Sequence, residues 1–564
     1  MKRFLITISF GFLITMVCYV WLSFPTIRRQ RIDRESRRIR NWIPAFAGMT
    51  ESLLIRYASV IFFITVFLAP AVENNLPDDD ASIVEVIAVC QEFDARIPWR
   101  KKPPEIRQGL AVVVEGNQVL TFDGIVRNSN LIEIRRARTG TKLEAKTIVA
   151  DEQIGAALLK IADEKAAAQF KSVPIADKVR RNDLVTIVKM DASGQFQTDE
   201  GQVIEVISSP RGLLFKVLTD LGIEKKGTPV FLNNTRPGSP RGEAGEDRVL
   251  AGIVINYDKS TQTCTVLSAT TLKKFLAGAL ALPYAGSAWA GLTWEPLLDP
   301  AKRKYLGVDG QKGGVLVVRT APGSGAAAVL QNEDVIVEID GYQLDEMGYY
   351  SDPDFGRLLF TYLINGRHSP GENAALTIFR NRRKITAQML LKRQSDIAQI
   401  IPENTAGAQG EYLAEGGLIL RELTGDYLRA GGREWIIQNN PRLVYYYFNP
   451  WQFSNKEGEH LVVLSGVLPD QINIGYEYRD EVVTAVNGRP VRRLADVFKV
   501  VDQDGGLKRV SLMGYEIDLV LDEQEMAGAN RRIAANYRIP SMRYQRPEER
   551  SQPACNAMRS IAGR

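Results

Sequence analysis

At 564 residues, with 45% hydrophobic and 24% charged side chains, the chain is too long for one core and has the composition of globular protein, roughly three domains plus termini. The formal charge of +5 is local: Lys2, Arg3 and the run from Arg28 to Arg40, where seven arginines accompany Asp33 and Glu35, carry +7 and leave the chain from Met49 onward at −2. A body so close to neutral argues against a nucleic-acid partner. Cys18, Cys90, Cys264 and Cys555 lie far apart without metal-ligand or Cys-x-x-Cys spacing, and the two histidines are His368 and His460, so neither a metal nor a cofactor is expected.

Phe4 to Phe24 is apolar, long enough to cross a bilayer, and followed at once by the arginine run. A second apolar run, Leu53 to Ala71, has Arg56 as a positive flank, Met49 as an internal start, and a small-x-small end at Ala69-Pro70-Ala71 that a signal peptidase accepts. Between them, Asn41 to Thr50 resembles the peptide encoded by a dispersed repeat of bacterial genomes. Residues 1–48 therefore read as a gene-model extension or an N-terminal membrane segment, and residues 49–71 as a signal peptide or membrane anchor. Either reading exports the body, and it gives membrane contact through the N-terminal segment.

From residue 78 to 280 the text consists of short Val/Ile/Leu runs separated by Gly, Asn and Asp. Strands are predicted at Ile83–Val89, Leu110–Val114, Gln118–Phe122, Leu131–Arg135, Leu184–Val188, Gln202–Ile207, Leu213–Val217 and Leu250–Ile255. That spacing indicates an all-β barrel or sandwich, closed by a helix over Ser268–Leu280 with Leu272, Phe275 and Leu276 on one face.

A Pro/Gly/Ser/Ala linker follows, and then two copies of one pattern. In the first, residues 289–395, Ala290–Leu297 leads to Gly314–Pro322 and then to Glu333-Asp-Val-Ile-Val-Glu-Ile-Asp-Gly341. In the second, residues 410–542, Gly416–Leu423 leads to Leu461–Pro469 and then to Asp480-Glu-Val-Val-Thr-Ala-Val-Asn-Gly488. The second copy carries an aromatic insert, Trp435 to Phe453, with Tyr445-Tyr446-Tyr447. Residues 543–564 are polar and rich in Arg, Pro and Ser, a disordered tail on composition.

Several of these stretches resemble the Deg/HtrA family of trypsin-like serine proteases. Gln118-Val-Leu-Thr-Phe-Asp-Gly-Ile-Val126 is similar to the strand that enters Thr-Asn-Ala-His-Val-Val, with Gly124 on the histidine position. Gly155-Ala-Ala-Leu-Leu-Lys160 is similar to Asp-Leu-Ala-Leu-Leu-Lys, with Gly155 on the aspartate. Glu224-Lys-Lys-Gly-Thr-Pro-Val230 stands where the family has Gly-Asn-Ser-Gly-Gly-Pro, with Lys226 on the serine. The repeated blocks resemble PDZ domains, and the order barrel, PDZ, insert, PDZ is similar to plant Deg proteins and their tandem-PDZ bacterial relatives. The implied fold is mainly β, a chymotrypsin-like double β-barrel followed by two PDZ domains with short helices.

Acyl transfer in such a site needs a hydroxyl nucleophile, an imidazole base and a carboxylate to orient it. Gly124, Gly155 and Lys226 provide none of the three, so a pseudoprotease is expected, with no catalytic residues and no metal. Asp123 and Thr228, beside the altered positions, leave open a rearranged triad in an active Deg-type serine endopeptidase of protein quality control. Lys225 and Lys226 read either as solvated loop residues or as cations that attract a carboxylate into the old cleft.

The PDZ resemblance implies strand addition of a peptide C-terminus, its carboxylate received at Ala290, Gly291, Leu292 and Thr293 in the first copy and at Gly416, Gly417 and Leu418 in the second. Either groove could instead be filled by the protein itself. The expected partners are peptide C-termini or unfolded envelope proteins, in a trimer-based homo-oligomer or an assembly with active relatives. The expected location is periplasmic, soluble after signal cleavage or anchored to the inner membrane by residues 53–71. His368 and His460 read as structural, and a Cys90–Cys264 disulfide is permitted in an oxidising compartment but not located by sequence.

Overall fold

The computed structural model describes residues 79–546 apart from 137–138, 192–193, 220–221, 223–224, 234–247, 394–398, 404–408, 453–455 and 457. Both N-terminal apolar runs, the basic segment between them and the tail from residue 547 lie outside the described residues. Among the described residues no helix is long and apolar enough to cross a membrane.

Twelve strands close into two barrels. The first holds β1 (Ile83–Cys90), β2 (Glu105–Val114), β3 (Gln118–Thr121), β4 (Ser129–Arg135), β5 (Lys142–Asp151) and β6 (Ala156–Ile161). The second holds β7 (Leu184–Met190), β8 (Phe196–Ser209), β9 (Gly212–Leu218), β10 (Pro229–Leu232), β11 (Val249–Asp258) and β12 (Thr263–Ser268). Their orders, β1-β2-β3-β6-β5-β4 and β7-β8-β9-β12-β11-β10, trace one path twice, the chymotrypsin-like double barrel. All eight predicted strands are present. β5, β6, β10 and β12 add to them: β5 alternates exposed Lys142, Glu144 and Lys146 with inward residues, and β10 spans only four residues.

Two-sided burial explains the unbroken valine-rich runs. Along β2, Ala111 and Val113 enter the first barrel's interior while Val112 and Val114 enter a layer between the barrels. Along β6, Leu159 and Ile161 face inward while Ala156 and Leu158 face that layer. The helix α2 (Ala269–Leu280), which follows the short α1 (Asp123–Val126), adds Leu272 and Phe275 to the same layer. Ser268 caps α2, its hydroxyl accepting from the Thr271 amide at 3.4 Å.

The first repeat comprises β13 (Ala288–Trp289), β14 (Leu292–Pro296), β15 (Val315–Thr320), β16 (Val335–Ile339), β17 (Tyr342–Gln343), β18 (Tyr349–Asp352), β19 (Gly356–Leu359), α3 (Thr361–Asn365), β20 (Asn373–Arg380), β21 (Arg383–Leu390) and β22 (Lys392–Arg393). Its sheet runs β14-β15-β16-β20-β21, with β17 folded back on β16. The second comprises β23 (Tyr412–Glu415), β24 (Leu418–Glu422), α4 (Pro441–Phe448), β25 (Val462–Val467), β26 (Glu481–Val486), β27 (Arg489–Pro490), α5 (Leu494–Asp504), β28 (Arg509–Leu512), β29 (Leu519–Val520), α6 (Met526–Tyr537) and β30 (Arg543–Tyr544). Its sheet runs β29-β28-β26-β25-β24-β23-β30. The repeated Asp340-Gly341 and Asn487-Gly488 are two-residue hairpin turns. Both residues of each pair have positive φ, which Asp, Asn and Gly tolerate best. Arg543 and Tyr544, assigned to the tail on composition, instead complete the sheet: the Tyr544 ring stacks on Tyr412 at 6.5 Å.

Each repeat is tied to a different barrel. The β18–β19 hairpin and α3 lie on the second barrel: the Leu359 amide donates to Ser208 Oγ at 3.0 Å, and Lys178 and Arg180 hold Asp354 at 2.5 and 3.1 Å. Lys274 of α2 gives its ammonium protons to the carbonyls of Asn365, Gly366 and His368 at the end of α3. The loop after β1 reaches the second repeat, where the Arg421 guanidinium donates to the Ala95 carbonyl at 2.6 Å and Trp99 lies 5.4 Å from Tyr412.

Cys90 and Cys264 are free thiols, buried one in each barrel interior, so the disulfide that the sequence permits is not formed. Burial raises both thiols, Cys264 to about 12. In a chain with Cys18→Ser and Cys555→Ser, iodoacetamide at about pH 8 is expected to leave the native protein unlabelled and to label both cysteines after denaturation. Rapid native labelling, read by mass spectrometry, would contradict this packing.

Candidate functional site

The chain leaves β3 through Phe122 and turns into α1, which carries Gly124. The turn between β5 and β6 carries Gly155 at φ +91, and the turn before β10 carries Lys226. These three positions, from two barrels, meet at one phenyl ring. A Cβ added to Gly124 would stand inside van der Waals contact of the Phe122 ring. One added to Gly155 would lie 3.5 Å from the same ring and 2.7 Å from the Arg211 guanidinium. The Lys226 ammonium sits 5.0 Å from the ring centroid, within the range of a cation–π contact. Phe122 thus occupies space that a side chain at Gly124 would need, while at Gly155 the Arg211 guanidinium and the positive φ oppose one. Phe122 went unnoticed in the sequence, because a phenylalanine closing an apolar strand looks like core.

The loop before β10 is held by charge as well as by backbone. The Lys226 carbonyl accepts from the Leu110 amide at 3.0 Å, and the Gly227 amide donates to Val254 O at 2.8 Å. Gly227, at φ +78, lies so close to the Leu110 carbonyl that no other residue fits. Lys225 reaches Glu85 at 2.5 Å; this carboxylate is fully buried and also pairs with Arg135. Lys225 is therefore neutralised locally rather than projecting into a cleft, while Lys226 stays exposed.

Asp123 and Thr228 have other partners. The Thr228 hydroxyl donates to the Lys225 carbonyl at 2.6 Å. Asp123 is 1% exposed; one carboxylate oxygen pairs with Arg127, which also reaches Glu152, and the other has no hydrogen-bond partner. Burial pushes its carboxyl above the ordinary range, with Arg127 opposing. Both histidines lie outside the barrels: His368 contacts Asp340 at 2.7 Å and Glu372 at 3.2 Å, and His460 contacts Glu422 at 2.6 Å. Among the described residues no cluster of His, Cys, Asp and Glu has the makings of a metal site.

The two glycine loops of the repeats differ. In the first, the Gly291 carbonyl accepts from the Ala321 amide at 2.7 Å and from Ser324 Oγ at 3.2 Å, which fixes the loop between Ala290 and Leu292. β14, with Leu292 and Thr293 at its start, pairs only with β15 among the described residues, so its outer edge is open. In the second, Gly416 and Gly417 form the turn of a hairpin: β23 pairs with β24 through Leu413↔Leu420, Ala414↔Ile419 and Glu415↔Leu418. The Gly416 amide is taken by Asn530 at 2.8 Å and the Gly416 carbonyl by Asn473 at 2.8 Å. The strand edge at Leu418 that the sequence offers to a peptide is covered by Tyr412–Glu415 of the same chain, not by the aromatic insert.

A PDZ domain family model matches residues 401–545. The chain is 26% identical over 473 residues to Protease Do-like 2, chloroplastic, of Arabidopsis thaliana, covering 82% of this chain and 74% of that protein. It is 23% identical over 475 residues to Putative protease Do-like 3, mitochondrial, of the same plant, covering 82% and 79%. This chain is homologous to the Deg/HtrA proteases. Among solved structures, HtrA-type protease AlgW with decapeptide aligns at 15% identity and a TM-score of 0.42, over 56% of this chain and 96% of that one.

In this Deg/HtrA homologue, Asp123 depends on Arg127 for its charge balance. Arg127→Ala is expected to cost about 3 kcal/mol at neutral pH, the low end for breaking a buried pair because Arg127 keeps solvent access. The folded carboxyl is raised, so its contribution is complete below the unfolded value and lost as pH rises. The deficit should therefore shrink in acid, and Asp123→Asn should relieve it. Urea melts of the two variants across pH check this; a pH-independent deficit counts against it.

Proposed function

We propose that this Deg/HtrA homologue is a pseudoprotease of the cell envelope that holds peptides rather than cutting them. The observation that carries the reading is the meeting of Gly124, Gly155 and Lys226 around Phe122, where a ring and an ammonium fill the space a triad needs. A positioned base is worth about 10²- to 10⁴-fold in rate, and neither barrel holds an imidazole. Thr228 and Asp123, the residues from which a rearranged triad could be built, are turned to Lys225 and Arg127. What remains is binding: the open edge of β14 receives the C-terminal segment of an unfolded or partly folded protein as an added strand, and the chain acts as a chaperone-like scaffold or as a regulatory subunit beside active relatives. Export through the second apolar run, Leu53 to Ala71, places this role in the periplasm, with the protein released or anchored there.

Purified chain, residues 72–564, is expected to leave casein intact and to take up no fluorophosphonate, a reagent for activated serine. Gly124→His, Gly155→Asp and Lys226→Ser together are expected to stay inactive while Phe122 remains, since the ring occupies the place of the new histidine. Adding Phe122→Ala removes that obstacle. Casein cleavage by the native chain that co-purifies with it and is blocked by fluorophosphonate would overturn the proposal.

A further inference from the structure

The open end of β14 leads into a cavity of about 440 Å³ that two modules build together. Its lining includes the loop Gly291–Thr293 of the first repeat and Trp451, from the insert of the second. The Arg319 guanidinium lies over the Trp451 indole at 4.4 Å, joining the two modules. The volume is within the range of about 300–1,000 Å³ typical of ligand pockets.

The charge of this cavity is one-sided. Among the described residues four basic side chains line it, Arg319, Lys392, Arg393 and Lys456, against one carboxylate, Glu403. Glu403 is already engaged by Arg429 and by the Tyr447 hydroxyl, both at 2.7 Å. Arg319, Lys392 and Arg393 are paired with no carboxylate among the described residues; Lys392 donates instead to the Gly323 carbonyl at 2.5 Å. A strand added antiparallel to β14 ends beside Leu292, so its terminal carboxylate and last side chains enter this basic space.

Building on the peptide-binding role proposed above, we propose that the composite cavity selects acidic peptide C-termini, and that Trp451 of the second repeat is a specificity-determining residue of the first repeat's site. The carboxylate alone could be met by backbone amides; the surplus of cations asks for a further Asp or Glu near the chain end. Trp451 fixes the Arg319 guanidinium plane from behind and walls the cavity, so removing it loosens the acidic preference without touching the β14 edge.

The test is fluorescence anisotropy on the full-length chain in detergent, with ten-residue labelled peptides. One ends in acidic residues with a free carboxylate, one has Asn and Gln in place of Asp and Glu, and one is the acidic peptide amidated at its end. The expected result is affinity about tenfold or more higher for the acidic free peptide, falling with added salt, and a loss of that preference in Trp451→Ala and in Arg319→Gln. Trp451→Phe, which keeps a ring under the guanidinium, should preserve it. Equal binding of acidic and neutral peptides, with Trp451→Ala without effect, overturns this inference and leaves the peptide-binding role standing. Absence of binding by every peptide overturns both.

Discussion

The apolar layer between the two barrels is the constraint on which the rest depends. Ile83, Val112, Val114, Leu120 and Leu158 from the first barrel pack there against Val188, Leu214, Phe231, Leu250 and Leu267 from the second, sealed by Leu272 and Phe275 of α2. Close packing of this kind tolerates little sliding. It therefore fixes how loops from opposite barrels face each other, and it brings Lys226 over a ring that belongs to the other barrel. The Leu110 amide, bonded to the Lys226 carbonyl, carries the same registration through the backbone.

On that frame two glycines, a phenyl ring and a lysine meet between the barrels, and the loop before β10 is held through Lys225, Glu85 and Arg135. A fully buried glutamate with two cationic partners is costly to break, because removing either partner strands charge in a medium of low dielectric. The geometry around Lys226 is thus maintained by a buried charge cluster beside it. Homology to a protease family and the proposed binding role coexist without conflict, since a fold does not by itself carry a chemistry.

The two repeats show how one sequence pattern yields two different surfaces. Both place their central strands alike and both turn on an Asp-Gly or Asn-Gly pair. Only the second is preceded by a segment, Tyr412–Glu415, that pairs with its first strand, with Tyr412 buried against Trp99 and Tyr544. The first keeps its edge and borrows a wall from its neighbour instead. Lys274 on one side and Arg421 on the other fasten each repeat to its own barrel.

The sequence by itself determined eight of the twelve barrel strands, the capped helix after the second barrel, the repeated blocks, and the absence of a hydroxyl, imidazole and carboxylate at Gly124, Gly155 and Lys226. These are legible because each rests on local composition or on a short motif. Half-exposed β5, with Lys142, Glu144 and Lys146 outward, was not legible, since its identity comes from its neighbours in the barrel. Tertiary structure alone decided that Phe122 lies among the three positions, that Glu85 neutralises Lys225, that Tyr412–Glu415 covers the second repeat's edge, and that Trp451 and Gly291 line one basic cavity. Each joins residues distant in the chain, and no local preference records a contact that exists only once the barrels and repeats have packed.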